Sequence, residues 1–460
     1  MSTSAPGAWR LLGEAIAERY ARSSWRLLAL VLVGFWAPLA LLYLLRGMRG
    51  VVLGVAAYGA AGVFTLSYAR PFGTLVSALF IAYSGLDLYL PGPVAWGLLL
   101  IVAARALIDA LAGRALDWGT AAFRISTTLL LAIAFTSLIM ARTLEAASGR
   151  LFNIGVGILL LIAISAYVNR AHRLRIVVTT LALAFGLNVL VMLLEVARSG
   201  GMSLLTSPTE ATRLGIGDVN KTSVLACCLI LLVVQQVGRT RGWLRLALLA
   251  VLPLCVVSIV LSVSRMGMIL LAITIGALAL QARRARPFLL TGIAGFVLLL
   301  FKLPADYWTR FISLLQFRGI IVDRSLQLRQ HALEAGWQIF VEHPWLGIGL
   351  GNFHSESPRY MSVALWAHNT YIDAAATMGL FGFLAFVAWQ LSGLGMVGRA
   401  ARLWRVAGRE HDRALAIGIG FALLLIYLAA VTLDYVFHID LWLFLALANA
   451  ARLCAETGNE

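Results

Sequence analysis

A histidine stands at position 368 in WAHNTYIDAAATMG, residues 366–379, just where the chain turns into a long apolar stretch. Imidazole titrates near neutrality, and its neutral form is the side chain best suited to take a proton at physiological pH. A helix starting here would aim its N-terminal amides and positive dipole end at the ring, disfavouring imidazolium. Asn369 and Tyr371 are placed to orient the ring or a substrate, and Asp373 lies about one turn further on. Gly379, eleven residues after His368, is expected on nearly the same face, as a point of close helix packing. A second group is LSVSRMGM, residues 261–268, where two apolar runs meet in a very short turn around Arg265. A cation so placed is costly unless paired, which makes Arg265 a functional cation by default.

The elements that must hold these groups follow from composition. The 460 residues are 61% hydrophobic and only 13% charged, more apolar surface than a soluble fold hides. The expectation is an all-α polytopic membrane protein. Candidate spans lie near 27–45, 50–67, 72–88, 93–111, 122–140, 151–168, 176–197, 219–237, 243–262, 266–281, 287–303, 370–395, 414–432 and 439–453. These make 12 to 14 transmembrane helices, depending on whether short ones merge or re-enter. Residues 1–26 read as a basic cytoplasmic lead-in without a cleavage site, 27–303 as a helical bundle, and 304–369 as one large outer loop. Residues 370–453 read as the last spans and 454–460 as a cytoplasmic tail. Four cysteines in or beside apolar runs imply neither a disulfide framework nor a zinc site.

Arginine sets the orientation, because retained cytoplasmic loops accumulate Lys and Arg. Clusters at 170–175, 239–245, 283–286 and 399–413 fall in alternate loops, which puts both termini inside and 304–369 outside. The net charge of +16 is mostly that bias. Cations remain on the outer side, among them Arg142, Arg150, Arg213, Lys221, Arg265, Arg318, Arg324, Arg329 and Arg359. Phosphate is the ligand that such an arginine-dominated set suits, since the planar guanidinium binds it through two bonds. Within the outer loop, ADYWTRFISLLQFRG suits the membrane interface. Asp323 caps a helix over about 324–342, with Leu326, Leu333, Trp337 and Phe340 along one face and His343-Pro344 ending it. The glycines of HPWLGIGLGNFHSE, residues 343–356, predict a tight turn that shapes a cavity wall. Arg105 and Asp109, four apart, read as a structural ion pair.

SVSRMG, HPWLGIGLGNF, HNTYIDAAATMG and RLGIGDVN (residues 213–220) together resemble the O-antigen ligase and polymerase superfamily of bacterial membrane glycosyltransferases; the motifs span about 213–380. The resemblance implies a GT-C-like, inverting transferase of the inner membrane, with its site facing the periplasm. Its donor would be an undecaprenyl-diphosphate-linked O-antigen, and its acceptor in a ligase a sugar hydroxyl of lipid A-core. His368 would take the acceptor's proton. Arg265 and one arginine of the long loop, among Arg318, Arg324 and Arg329, would hold the diphosphate. Ligases place that loop arginine eleven residues before a glycine, whereas Arg324 precedes Gly336 by twelve, so the choice stays open.

Cleaving C1–O of a lipid diphosphate builds negative charge on the leaving group. Fixed cations there favour the transition state, by about 2.7–4 kcal/mol each on the scale of an oxyanion donor. The chain has no Asp-x-Asp pair; its nearest analogue, Glu410-His411-Asp412, falls in a loop read as cytoplasmic. The outer histidines lack His-x-x-x-His spacing. No catalytic metal, no cofactor and no nucleic-acid partner are therefore expected, and membrane lipids are. The rival readings are an O-antigen polymerase or a protein O-oligosaccharyltransferase. A transporter of lipid-linked glycan would want mid-span charges and an internal repeat, and neither stands out.

Overall fold

In a computed structural model the described residues are 65–86, 90, 93–198, 218–262, 264–281 and 324–458. The chain divides into two compact units, Met1–Arg70 and Pro71–Glu460. Of the first, residues 65–69 are helical. The second contains α1 Pro71–Ser84, α2 Val94–Leu111, α3 Ala121–Ser137, α4 Leu144–Tyr167, α5 Ala171–Arg198 and α6 Val219–Val237. After these come α7 Gly242–Leu261, α8 Arg265–Gln281, α9 Arg324–Glu342, α10 Thr370–Val406, α11 Glu410–Ala429 and α12 Ile439–Thr457. Every predicted span from 72 onward that lies within the described residues is helical; those at 27–45 and 287–303, and 50–67 up to residue 64, lie outside them. Eight of these helices are long and apolar enough to cross a membrane, and two shorter ones are also apolar.

The bundle is organised around α12, which is buried from Asp440 to Cys454 on every side, as a helix apolar all round must be. It packs against α4, α5, α10 and α11. Small residues permit the approach: a Cβ on Gly157 of α4 would fall 2.2 Å from Trp442, and one on Gly393 of α10 would fall 2.3 Å from Leu445. Asp440, Asn449 and Arg452 on α12 are matched inside. Tyr83 donates to Asp440 (3.0 Å), Asn449 donates to Ser165 (2.9 Å), and Arg452 pairs with Asp117 (2.9 Å) and Glu456 (2.6 Å).

Two ends of the bundle differ in chemistry. Arg175, Arg239 and Arg409, from three of the basic clusters, converge on Asp412 at one end. The Arg105–Asp109 pair forms there at 3.1 Å, joined by Arg114. We call this end the arginine face. At the opposite end, α4, α6, α10 and α12 all begin, and with them the residues singled out for chemistry.

Two expectations are corrected. α10 is not one straight helix carrying Gly379 on a shared face. Gly379 has φ 69° and ψ −171°, which breaks the helix after Met378. Unbroken, 37 residues would span about 55 Å, nearly twice a hydrocarbon core of about 30 Å. The face of α9 is also different: Leu333 (38%) and Trp337 (58%) are exposed, while Ala332, Ala335, Gly336 and Ile339 are buried. Small residues win the inner position because α9 lies so close to α10 that a Cβ on Gly336 would meet Ile372 at 2.2 Å. Asp323, the expected cap of α9, lies outside the described residues.

Candidate active site

The glycine-rich segment 343–352 fills the break in α10. Breaking a helix frees backbone groups that need partners. Here the N–H groups of Ile348 and Gly349 donate to the carbonyls of Ala376 and Thr377 (both 3.0 Å), and Leu380 N–H donates to Pro344 O (2.7 Å). The contact requires glycine on both sides. Gly347 has φ 66° with a would-be Cβ 2.4 Å from the Thr377 carbonyl carbon, and one on Gly379 would lie 2.2 Å from Trp345 O. Further along, Gly351 abuts the backbone of Ala146 on α4. The half-helix Thr370–Met378 is thereby fixed against the bundle, with its start presented at one end.

His368 sits immediately before that start. Its φ of 46° is left-handed, one of two positive values among the described non-glycine residues; the other, 57°, is at Phe437. Such strain persists where surroundings over-determine it. Asn369 caps the half-helix, its side chain accepting from Tyr371 N (2.9 Å) and Ile372 N (3.0 Å). Thr370 ties in the loop between α11 and α12: its N–H donates to Ala430 O (2.8 Å), its hydroxyl donates to Leu433 O (2.7 Å), and that hydroxyl accepts from Tyr435 N (2.8 Å). This latch brings Asp434 to the same site as His368.

Both line a cavity of about 710 Å³ whose walls come from the starts of α4 and α6, the 351–355 turn, Trp366 and the α11–α12 loop. Glu145, Arg150, Asp218, Lys221 and His354 also line it. Arg150 is buried and held from three sides: it donates to Asp373 (2.8 Å), to Asp434, and to Val436 O (2.8 Å). The Trp366 ring lies 5.8 Å from its guanidinium carbon, and Lys221 Nζ lies 5.7 Å from the Tyr435 ring. Burial would raise the Asp434 pKa, but Arg150, helped by Lys221 and the Val436 N–H, offsets it and holds this carboxyl below its ordinary value. The His368 pKa is lowered from the ordinary 6.5, first by burial and then by the Arg329 cation; Asp434 and Asp218 pull the other way, and Lys221 adds the smallest lowering. The ring is therefore neutral at physiological pH.

The expected site residues are only partly brought together. His368 lines the cavity, and Arg329, on α9, is near enough to act on its charge. Arg265 begins α8 at this same end of the bundle, one helix behind the wall: Gly267 packs on Ser223 of α6, and Ser223 donates to Ser262 (2.7 Å). Asn369 serves as the cap. Tyr371 donates to Gln390 (3.2 Å) and Tyr427 O (3.1 Å) and is not among the lining residues. Arg213 and Arg318 lie outside the described residues, and so does the side chain of Arg324. The sequence reading missed the Arg150–Asp373–Asp434 cluster as a unit. Its signal was an arginine on the outer side of the chain's charge map, where the positive-inside bias gives no reason for one.

Residues 248–387 match the family model described as O-Antigen ligase, which supports the resemblance to that superfamily of glycosyltransferase-like ligases and polymerases. The matched stretch contains Arg265, Arg329 and His368; Arg150, Lys221 and Asp434 lie beyond it. No curated protein matches the chain.

Proposed function

We propose that this chain is an O-antigen ligase of the bacterial inner membrane, transferring O-antigen polysaccharide from undecaprenyl diphosphate to a sugar hydroxyl of lipid A-core. The observation that carries the reading is His368: a neutral imidazole on the wall of a cavity of about 710 Å³, beside cations, within the stretch that matches the family. In this reading about 12 helices span the membrane, residues 304–369 form the large periplasmic loop, and the cavity opens to the periplasm.

The acceptor hydroxyl gives its proton to His368 as its oxygen attacks C1 of the donor sugar. The C1–O bond to the diphosphate breaks, and undecaprenyl diphosphate leaves with the electron pair. We assign its growing charge to Arg329 and, as the family resemblance implies, to Arg265, although Arg265 begins one helix behind the wall; Lys221 on the wall itself is a further cation. A single displacement without a protein nucleophile inverts the configuration at C1. Arg150 is committed to two carboxylates and has the separate task of fixing the wall that carries Asp434. Arginine and lysine supply the charge neutralisation that a divalent metal provides elsewhere, so the reaction is proposed to be metal-independent.

The test is to incubate the purified protein with undecaprenyl-diphosphate-linked O-antigen and rough lipopolysaccharide in EDTA, beside His368→Ala. Wild type should cap the core, and His368→Ala should be slower by about 10² to 10⁴, the usual worth of a positioned base. Equal capping by the variant would end the base assignment. Activity lost in EDTA and restored by magnesium would end metal independence. Uncapped lipopolysaccharide alongside longer lipid-linked polymer would make the chain a polymerase.

A further inference from the structure

We propose that the arginine face carries a second ligand site, a phosphate-binding pocket between α5, α6 and α7. Its cavity of about 400 Å³ is lined by His172, Arg175, Thr179, Gln236, Arg239 and Leu244, among others. It lies at the far end of α6 from the catalytic cavity: α6 runs from Asn220 and Lys221 on one wall to Gln236 on the other, about 24 Å at the helical rise.

The charge around it is unbalanced. Arg175 (2.7 Å), Arg239 (3.7 Å) and Arg409 (2.9 Å) share one carboxylate, Asp412, which is 2% exposed. One negative charge against three positive ones leaves two uncompensated there. The other described acids at this end already hold arginines: Asp109 with Arg105 and Arg114, Asp117 with Arg124 and Arg452, Glu410 with Arg413, and Glu456 with Arg399 and Arg452. No other described acid at this end is left without an arginine, so the surplus charge is open to an external anion. Arg175 and Arg239 remain 25% and 36% exposed, and each has five N–H donors in a planar fork. Two forks, one from α5 and one from the turn between α6 and α7, suit an anion with several oxygens around one centre, which is phosphate rather than a flat carboxylate. Hydroxyls of Thr179 and Thr180 and the Gln236 amide add neutral polar groups. The lining also carries apolar Ile176 and Leu244, and Trp243, next to Leu244 in sequence, is 75% exposed. That combination fits a phosphate attached to an acyl-bearing headgroup, and the same forks would also take free phosphate.

The purified full chain in detergent would be examined by native mass spectrometry and thermal unfolding, with phosphatidylglycerol, phosphatidylcholine or inorganic phosphate added. Phosphatidylglycerol should be retained in preference to the zwitterion and raise Tm, and Arg239→Gln should weaken its retention about tenfold, the loss of one charge-assisted contact. In that variant Asp412 still holds Arg175 and Arg409, so folding is preserved. Should it nonetheless fail to fold, Leu244→Trp fills part of the cavity without altering Asp412 and should reduce retention similarly. Inorganic phosphate acting as strongly as the lipid, and equally sensitive to Arg239→Gln, would assign the site to the free anion. Equal retention of both lipids with no effect of inorganic phosphate, or wild-type binding by both variants, would overturn the proposal. His368→Ala should bind as wild type, which separates this result from the transferase reading.

Discussion

At the cavity face one guanidinium, Arg150, is gripped by two carboxylates, whereas at the arginine face one carboxylate, Asp412, is shared by three guanidiniums. The two clusters use the same ion-pair chemistry with the stoichiometry reversed. Where acid is in excess, the arginine is saturated and becomes a structural pin, immobilising the wall next to His368. Where arginine is in excess, the carboxylate is saturated and the surplus positive charge stays available to a ligand. The backbones differ as well. The cavity face holds both described non-glycine residues with positive φ, His368 and Phe437, and the glycine segment seated in the α10 break. The arginine face joins its helices by short turns such as that at Gly408, whose surroundings are open. Strain and saturated ion pairs thus coincide at the cavity, as expected where side chains must be held in one geometry.

The largest effect that would break this comparison is on stability. Arg150→Ala leaves Asp373 and Asp434 without their cation and should cost about 3–5 kcal/mol, as stranding a buried charge does. Arg239→Gln, which leaves Asp412 doubly paired, should cost no more than about 1 kcal/mol. Thermal unfolding of the two variants side by side reads both, and equal losses would erase the asymmetry. Next are the two glycines. Gly379→Ala combines a left-handed φ with a clash against Trp345 O and should cost about 2–5 kcal/mol. Gly408→Ala meets only the φ penalty, about 1–2 kcal/mol. A Gly408 variant as damaged as the Gly379 variant would remove the distinction between a seated break and an ordinary turn. The smallest effect is on pH dependence. His368 must be neutral to act as base, so activity rises with pH through its lowered pKa, and the acid limb should lie below 6.5. Removing the Arg329 cation raises that pKa, so Arg329→Gln should move the limb to higher pH. A limb that stays put in the rate profile would place Arg329 away from the ring.

The helices were legible because their signal is local. An apolar run of membrane length forms a helix almost regardless of its neighbours, and 219–237 was read to the residue. The alternation of arginine clusters likewise foretold that the loops at 170–175, 239–245 and 399–413 share one end, and Asp412 draws three of them together. His368 was legible by type and place. The break at Gly379 was not, since a single glycine in an apolar run is equally compatible with close helix packing. The buried face of α9 was misread because hydrophobicity ranks Trp337 and Leu333 above Ala335 and Gly336. In a helix seated on another helix, however, size decides, and in a membrane the exposed side is free to be apolar.

By itself, then, the sequence determined the all-helical membrane architecture, the two chemically unlike ends and the histidine with its candidate cations, because each depends on residue type within one segment. Tertiary structure alone decided that Arg150 would meet Asp434, 284 residues away, that the glycine segment would occupy the gap in α10, and that His368 would face a cavity. Those outcomes depend on which helix ends come together in space, and pairwise attraction between distant charges leaves no periodicity in the chain to be read.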